Sequence, residues 1–474
     1  MQNSKLFALF SALNGFERAN LRKFISSPFH NSNSSILSLF EFLSKEIRQQ
    51  RESISPQKAW AAVFPQQTYQ DAKMRLLMNQ FSQLIEQFLI QNELQNDANQ
   101  QFNYLNQALK RRNLQIQTNQ NLQNWQRYQE ENKLQNSNFF HQNYQYEQQF
   151  YHQNESKPRD TRHSFQKWID SLDIVFIVEK LRQACTLTAH QWVYKIDYQW
   201  YFLPEILTFL RTYPAVYQQN ALIGAYYFYY LSISNPLPQS DEYFNEYKQI
   251  LSRSVGLFEP QEAKNLYLLA INYAIKRANK GYNQAYMLDL LELYKAGFEA
   301  NILVEQGQIS RFAFKNVVSL SLRLADFDWA ARFIGSYGEK IAAAYKLTYQ
   351  NYAWAKWHFA KENYEIALEF LQKVDYEDIF LNLDAKMTQL KIYAALREYE
   401  LLESFLQTFK TFLVRKKKLL SYHYQNYQNI LSVSLKIIKI NPHDRAEKLQ
   451  LHEKIQTIEP LTEREWLLDF CQKR

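Results

Sequence analysis

Few residues of this chain are spaced for chemistry. Its nine histidines are scattered, and none forms the His-Glu-x-x-His pair or a comparable spacing that gathers the three or four ligands a zinc ion needs. No Gly-x-Ser-x-Gly elbow presents a nucleophile, and no glycine-rich loop is built to cradle phosphates. The densest glycine site, Gly335-Ser-Tyr-Gly338, stands where a helix C-terminal cap is expected. The tightest acidic cluster, Asp375-Tyr-Glu377-Asp378, falls in a turn whose carboxylates can cap the next helix. His358 lies inside a helical pattern and reads as a packing or edge residue. Arg415-Lys-Lys-Lys418 is the strongest charge run. On a helix its four side chains point in four directions, as a solvated face, or as a contact for nucleic acid or anionic lipid. An enzyme would need residues distant in sequence to converge, so the expectation is a protein without enzymatic activity, metal or cofactor.

Composition explains why catalytic loops are scarce. There are only 8 Gly and 11 Pro in 474 residues, so the chain can build helices far more readily than turn-linked strands. Aromatic residues reach 16%, with 33 Tyr and 33 Phe; the tyrosines suit helix interfaces with a wet edge, unless a coding bias accounts for them. A net charge of +8 is mild when 47 acidic residues are interspersed among 55 basic ones, a weak pointer toward nucleic acid. Cys185 and Cys471 are too far apart in sequence to make a framework and fit a reducing compartment. The apolar run Leu6 to Ala12 after Lys5 is shaped like a secretory leader, but its spacing continues through Leu21 and Phe24 as helix periodicity. With no long apolar stretch to span a bilayer, a cytoplasmic protein is expected.

The elements that would position any site announce themselves by repetition. Phe327-Asp-Trp-Ala330-Ala-Arg-Phe333-Ile334 is followed by Tyr364-Glu-Ile-Ala367-Leu-Glu-Phe370-Leu371 and Tyr399-Glu-Leu-Leu402-Glu-Ser-Phe405-Leu406, with a looser copy from Tyr282 through Ala285 and Leu288. The steps, 45, 37 and 35 residues, match one helical hairpin per repeat. An aromatic opens the second helix, a small residue three positions on allows close approach, and the next turn faces the following hairpin. In the hairpin around Ala367, residues Trp354, Ala355, Tyr364, Ala367, Leu371 and Val374 resemble the tetratricopeptide repeat signature. Ala355 stands where that family has glycine and His358 where it has tyrosine, and no proline closes the repeat. The resemblance covers roughly residues 260–420.

Upstream, residues 1–95 read as a helical subdomain of about four helices, similar to the start of uncharacterised bacterial helical-repeat proteins. A break falls at Ser26-Ser-Pro28. Ser35 is a candidate cap for the next helix, Ser55-Pro56 is a helix start, and Thr68 to Asp71 resembles a capping box before the stripe Met74, Leu77, Phe81, Leu84, Ile85 and Phe88. Residues 96–155 form a Gln/Asn-rich segment. Phe102, Leu105, Leu109, Leu122, Trp125 and Tyr128 keep helical spacing there, so long helices with glutamine-coated solvent faces are predicted. Glu155 to Asp160 is the best linker candidate, leaving 156–474 as tetratricopeptide-like repeats. The fold expected is all-α, an α-solenoid of antiparallel helix hairpins behind an N-terminal helical subdomain.

The resemblance implies a groove lined by the first helix of each repeat, here Phe312, Lys315, Ser319, Leu322 and Arg323, then Tyr349, Tyr352, Lys356 and Phe359, then Asp384, Met387 and Lys391. Of these, Lys315, Arg323, Tyr349, Tyr352, Lys356, Phe359 and Lys391 are the candidates for contacting a protein or extended peptide partner. Basic and aromatic groups together suit an acidic peptide with apolar anchors. About half of the wider set is expected to pack between hairpins instead. The alternative is a nucleic-acid-associated regulator whose N-terminal helices read the duplex through Lys73 and Arg75.

Overall fold

Helix occupies 81% of the described residues, as glycine and proline scarcity requires. The computed structural model describes residues 3–49, 54–155, 165–279, 284–374, 378–420 and 423–474. The 24 α-helices among the described residues pack as sequential antiparallel pairs. The chain divides into two compact units, Met1–Ile206 and Leu207–Arg474.

The first unit carries α1 (Lys5–Ala12), α2 (Gly15–Ser26), α3 (Ser34–Arg48), α4 (Pro56–Val63), α5 (Asp71–Asn96), α6 (Ala98–Lys110), α7 (Gln115–Glu131), α8 (Ser137–Asn154) and α9 (Gln166–Tyr194), and α10 (Leu203–Thr212) spans the division. Its N-terminal core centres on Phe10, whose ring lies 5.4 Å from Phe40 and 5.8 Å from Phe81. The α5 stripe from Met74 to Phe88 is buried around it. Apolar periodicity from Leu6 to Phe24 is divided between two helices, because Asn14 accepts from the Glu17 amide at 2.9 Å and donates its own amide to the Glu17 carboxylate at 2.8 Å. Ser55 caps α4 as expected, accepting from Lys58 at 3.2 Å. Two other caps differ from expectation. Asn33, not Ser35, caps α3, and α5 starts at Asp71 behind Gln70 with no side-chain cap, so the Thr68 capping box does not form.

The Gln/Asn-rich segment is helical, as its apolar spacing predicts, but its amides do not merely coat the outside. Asn99, Asn103, Asn106 and Asn121 are buried, while Leu105 is exposed. Asn99 accepts from the Trp125 indole at 2.8 Å and donates to Gln142 at 2.8 Å, Asn106 donates to Gln149 at 3.0 Å, and Asn121 donates to the Phe102 carbonyl at 2.9 Å. A buried amide is tolerable only with such partners. The linker candidate lies, beyond Glu155, outside the described residues, as do Tyr282 and Asp375 to Glu377.

The second unit continues with α11 (Ala215–Gln219), α12 (Ala221–Ser234), α13 (Gln239–Ser254), α14 (Pro260–Asn279), α15 (Gln284–Glu299), a two-stranded antiparallel ribbon (β1, Val304–Glu305; β2, Gln308–Ile309), α16 (Arg311–Arg323), α17 (Phe327–Tyr337), α18 (Ala343–Ala360), α19 (Tyr364–Gln372), α20 (Ile379–Ala395), α21 (Tyr399–Leu420), α22 (His423–Lys439), α23 (Arg445–Thr457) and α24 (Arg464–Lys473). Helices pair α12 with α13, α14 with α15, α16 with α17, α18 with α19 and α20 with α21; α16 also meets α18, and α18 meets α20. Ala330, Ala367 and Leu402, at the small-residue position of the motif, are fully buried.

Candidate functional site

Three hairpins place the site, and one backbone device repeats in all of them. The aromatic that opens each motif is the first residue of its helix: Phe327 in α17, Tyr364 in α19, Tyr399 in α21. Two positions earlier the chain turns through the left-handed region, at Ala325 (φ 58°), Glu362 (φ 63°) and Arg397 (φ 60°). The next amide then donates back to the ending helix, Asp326 to Ser321 at 2.9 Å, Asn363 to His358 at 2.9 Å and Glu398 to Tyr393 at 3.1 Å. Non-glycine residues hold all three turns. The glycines singled out in the sequence do something else: Gly338 has φ −56° and ends α17 into a 3₁₀ turn, where the Gln350 side chain fills the room a Cβ would need.

With the turns fixed, α16, α18 and α20 present their inner residues to one another. Asp384 of α20 is the junction. Its carboxylate meets the Lys315 ammonium at 3.2 Å and the Lys356 ammonium at 3.6 Å, and accepts a hydrogen bond from the Tyr352 hydroxyl. Burial alone would raise the Asp384 pKa, but the two ammonium groups and the phenol outweigh it and hold the carboxyl well below its ordinary range. Burial, with Asp384 beside it, pushes the Tyr352 phenol well above its usual value. Lys315 also sits over the Tyr352 ring, 5.7 Å from its centroid. One helix end further on, Arg311 stacks on Tyr345 at 3.8 Å, and Tyr349 donates to Asp378 at 3.1 Å. Asp378 also caps α20, accepting from Phe380 and Leu381, the role expected of the acidic cluster.

The seven candidates therefore divide. Tyr349 and Tyr352 are 2% and 1% exposed; they pack between first helices, where their hydroxyls donate to Asp378 and Asp384. Met387 of the wider set is buried too. Lys315 and Lys356 keep about a quarter of their side chains exposed, 24% and 23%, while satisfying Asp384. Arg323 is exposed at the end of α16.

Phe359 and Lys391 come together. They line a pocket of about 350 Å³ with Tyr364, Arg397, Tyr399, Trp466 and Lys473. Lys391 pairs with Glu463 at 2.8 Å and lies 5.6 Å from the Trp466 ring. Sequence reasoning missed Trp466, because α24 carries no copy of the repeat and nothing in its spacing places it beside α20. Tyr427 of α22 was missed for the same reason; burial, then Asp384 and Glu463, push its phenol up to about 12.

The remaining sequence candidates fall elsewhere. His358 stacks on Phe370 at 5.5 Å, and burial lowers its pKa. Arg415 to Lys418 are exposed along the last turns of α21, with Lys417 5.2 Å from the Tyr424 ring. In α5, Lys73 lies over Phe64 at 4.7 Å and Arg75 pairs with Asp71 at 2.8 Å, so both proposed phosphate contacts are engaged. Cys185 and Cys471 are both buried and form no disulfide. Among the described residues no group of His, Cys, Asp or Glu is arranged to hold a metal ion, and no helix is long and apolar enough to cross a membrane.

The geometry defines an all-helical, repeat-like protein built from consecutive antiparallel helix pairs. Compared with family models, curated proteins and solved structures, the chain gives no match.

Proposed function

We propose that the second unit is a tetratricopeptide-like interaction scaffold of the cytoplasm, without enzymatic activity, which binds an acidic stretch of a protein or extended peptide through an apolar anchor. The observation that carries this reading is the pocket where Phe359 and Lys391 meet Trp466. Five aromatic residues, Phe359, Tyr364, Tyr399, Trp466 and Phe470, supply apolar wall. Lys391, Arg397 and Lys473 bring three cations against one lining carboxylate, Asp469. Lys473 is paired with Asp469 at 2.7 Å and Lys391 with Glu463, whereas Arg397 is exposed on its left-handed turn. An aromatic or aliphatic side chain flanked by Asp or Glu matches that arrangement. The alternative, a nucleic-acid-associated regulator reading through α5, has its two named contacts occupied by neighbours.

Display of random peptides on phage, selected on the full chain, tests the reading. Enriched sequences are expected to pair Asp or Glu with a large apolar residue and to bind the Arg397→Glu variant about tenfold or more weakly, the scale of losing a charge-assisted contact. Selection of basic peptides, or binding indifferent to Arg397→Glu and Trp466→Ala, would sink it.

A further inference from the structure

A second concave site lies in the first unit, between α2 and α3, and it is cationic. Arg18 and Arg22, one helical turn apart on α2, face Lys45 and Arg48 on α3 across a pocket of about 610 Å³. Gly15 and Ala19 of α2 leave the hollow open, and nothing stands within 4 Å of where a Gly15 Cβ would be. One carboxylate, Glu41, lies in the lining, and it is taken by Arg22 at 2.6 Å. Arg18, Lys45 and Arg48 have no carboxylate partner among the described residues. At the floor, the Ser44 hydroxyl is buried without a hydrogen-bond partner among them.

Like charges are not gathered into a hollow for stability, since each repels the others. Along the first helices of the repeats the corresponding lysines, Lys315, Lys356 and Lys391, each meet an acid. Here three cations remain unneutralised around a concavity of small-ligand size. Two arginines and a lysine on facing helices can donate to oxygens on two sides of one group, and guanidinium forks match phosphate oxygens in pairs. We infer that the α2–α3 pocket binds a small ligand carrying two linked phosphates. Concavity favours such a ligand over a duplex backbone, which needs an extended stripe of cations rather than a cup. This site is independent of the peptide reading for the second unit, and its failure leaves that reading untouched.

Calorimetry with inorganic pyrophosphate and the full chain tests it, with inorganic phosphate and a 20-base-pair duplex as comparison arms. Pyrophosphate is expected to bind at least about tenfold more tightly than phosphate, and more tightly per molecule than the duplex at physiological salt. Arg18→Gln with Arg48→Gln should abolish binding, and Ala19→Glu, which adds a charge without removing a cation, should do the same, both with unchanged circular dichroism. Lys416→Gln with Lys417→Gln, in the exposed run of α21, should leave it intact. No detectable pyrophosphate binding, binding that survives both pocket variants, or a duplex affinity that exceeds pyrophosphate and falls with the same variants, would each overturn the inference.

Discussion

Asp384 shows how a residue chosen for a groove can turn out to hold the groove together. It faces two lysines and a buried phenol from α16 and α18, so it is better described as the tie between three first helices than as a ligand contact. The resemblance marked Asp384, Lys315, Lys356 and Tyr352 as neighbours on one face; that they satisfy one another was not legible, since pairing depends on the stagger between hairpins. Its carboxyl is held below the ordinary range, and the sign of the linkage follows. The stabilisation is fully present above the unfolded-state value, near 3.9, and is lost as pH falls below that toward the folded value. Asp384→Asn should therefore lower the urea midpoint most at neutral pH, with the gap to the parent chain narrowing progressively below about pH 4. A gap that stays constant from pH 7 to pH 3 would mean the carboxylate is not what the two lysines stabilise.

Among the elements, the hairpins were the most legible part of the sequence. The recurrence of Phe327, Tyr364 and Tyr399 marks the first residue of three second helices, because an aromatic packing back on the preceding helix must sit at a fixed distance from the turn. The turns themselves were hidden. Glycine normally advertises a left-handed residue, and here Ala325, Glu362 and Arg397 do that work, so the sequence shows no mark where the backbone repeats most faithfully. The nearby glycines, Gly335 and Gly338, have no positive φ. An L-residue in this conformation costs about 1–2 kcal/mol, partly offset by the larger unfolded-state entropy of glycine, about 0.4–1 kcal/mol. Exposed Glu362 is the cleanest probe. Glu362→Gly should stabilise the chain by about 0.5–1 kcal/mol, and Glu362→Val, β-branched at the same φ, should destabilise it by about 1 kcal/mol or more. Thermal melts of the two variants that move in the same direction would contradict the turn geometry.

Across the whole molecule, one rule of apolar periodicity and one of amide satisfaction divide the work. Periodicity made the helices of both units legible, including those of the Gln/Asn-rich segment. It could not foresee where the amides go, because an Asn on a helix reads as polar whether it meets water or a buried indole. In this segment Trp125, Leu122 and Tyr146 form only a small apolar cluster, and the buried asparagines complete the interior through hydrogen bonds to Trp125, Gln142, Gln149 and the Phe102 carbonyl. Each such bond adds about 1 kcal/mol, and leaving one buried partner unpaired costs about 1–3 kcal/mol. A low-complexity tract held in this way differs from a disordered one in a measurable respect. Hydrogen exchange on the full chain should find the backbone amides of α6, α7 and α8 protected to a degree comparable with α5. Asn99→Leu, which orphans the Trp125 indole N–H and a Gln142 acceptor, should selectively speed exchange in α6 to α8 while α1 to α4 keep their protection. Exchange within seconds throughout residues 98–154 of the parent chain would show that the amide pairing does not hold the segment folded.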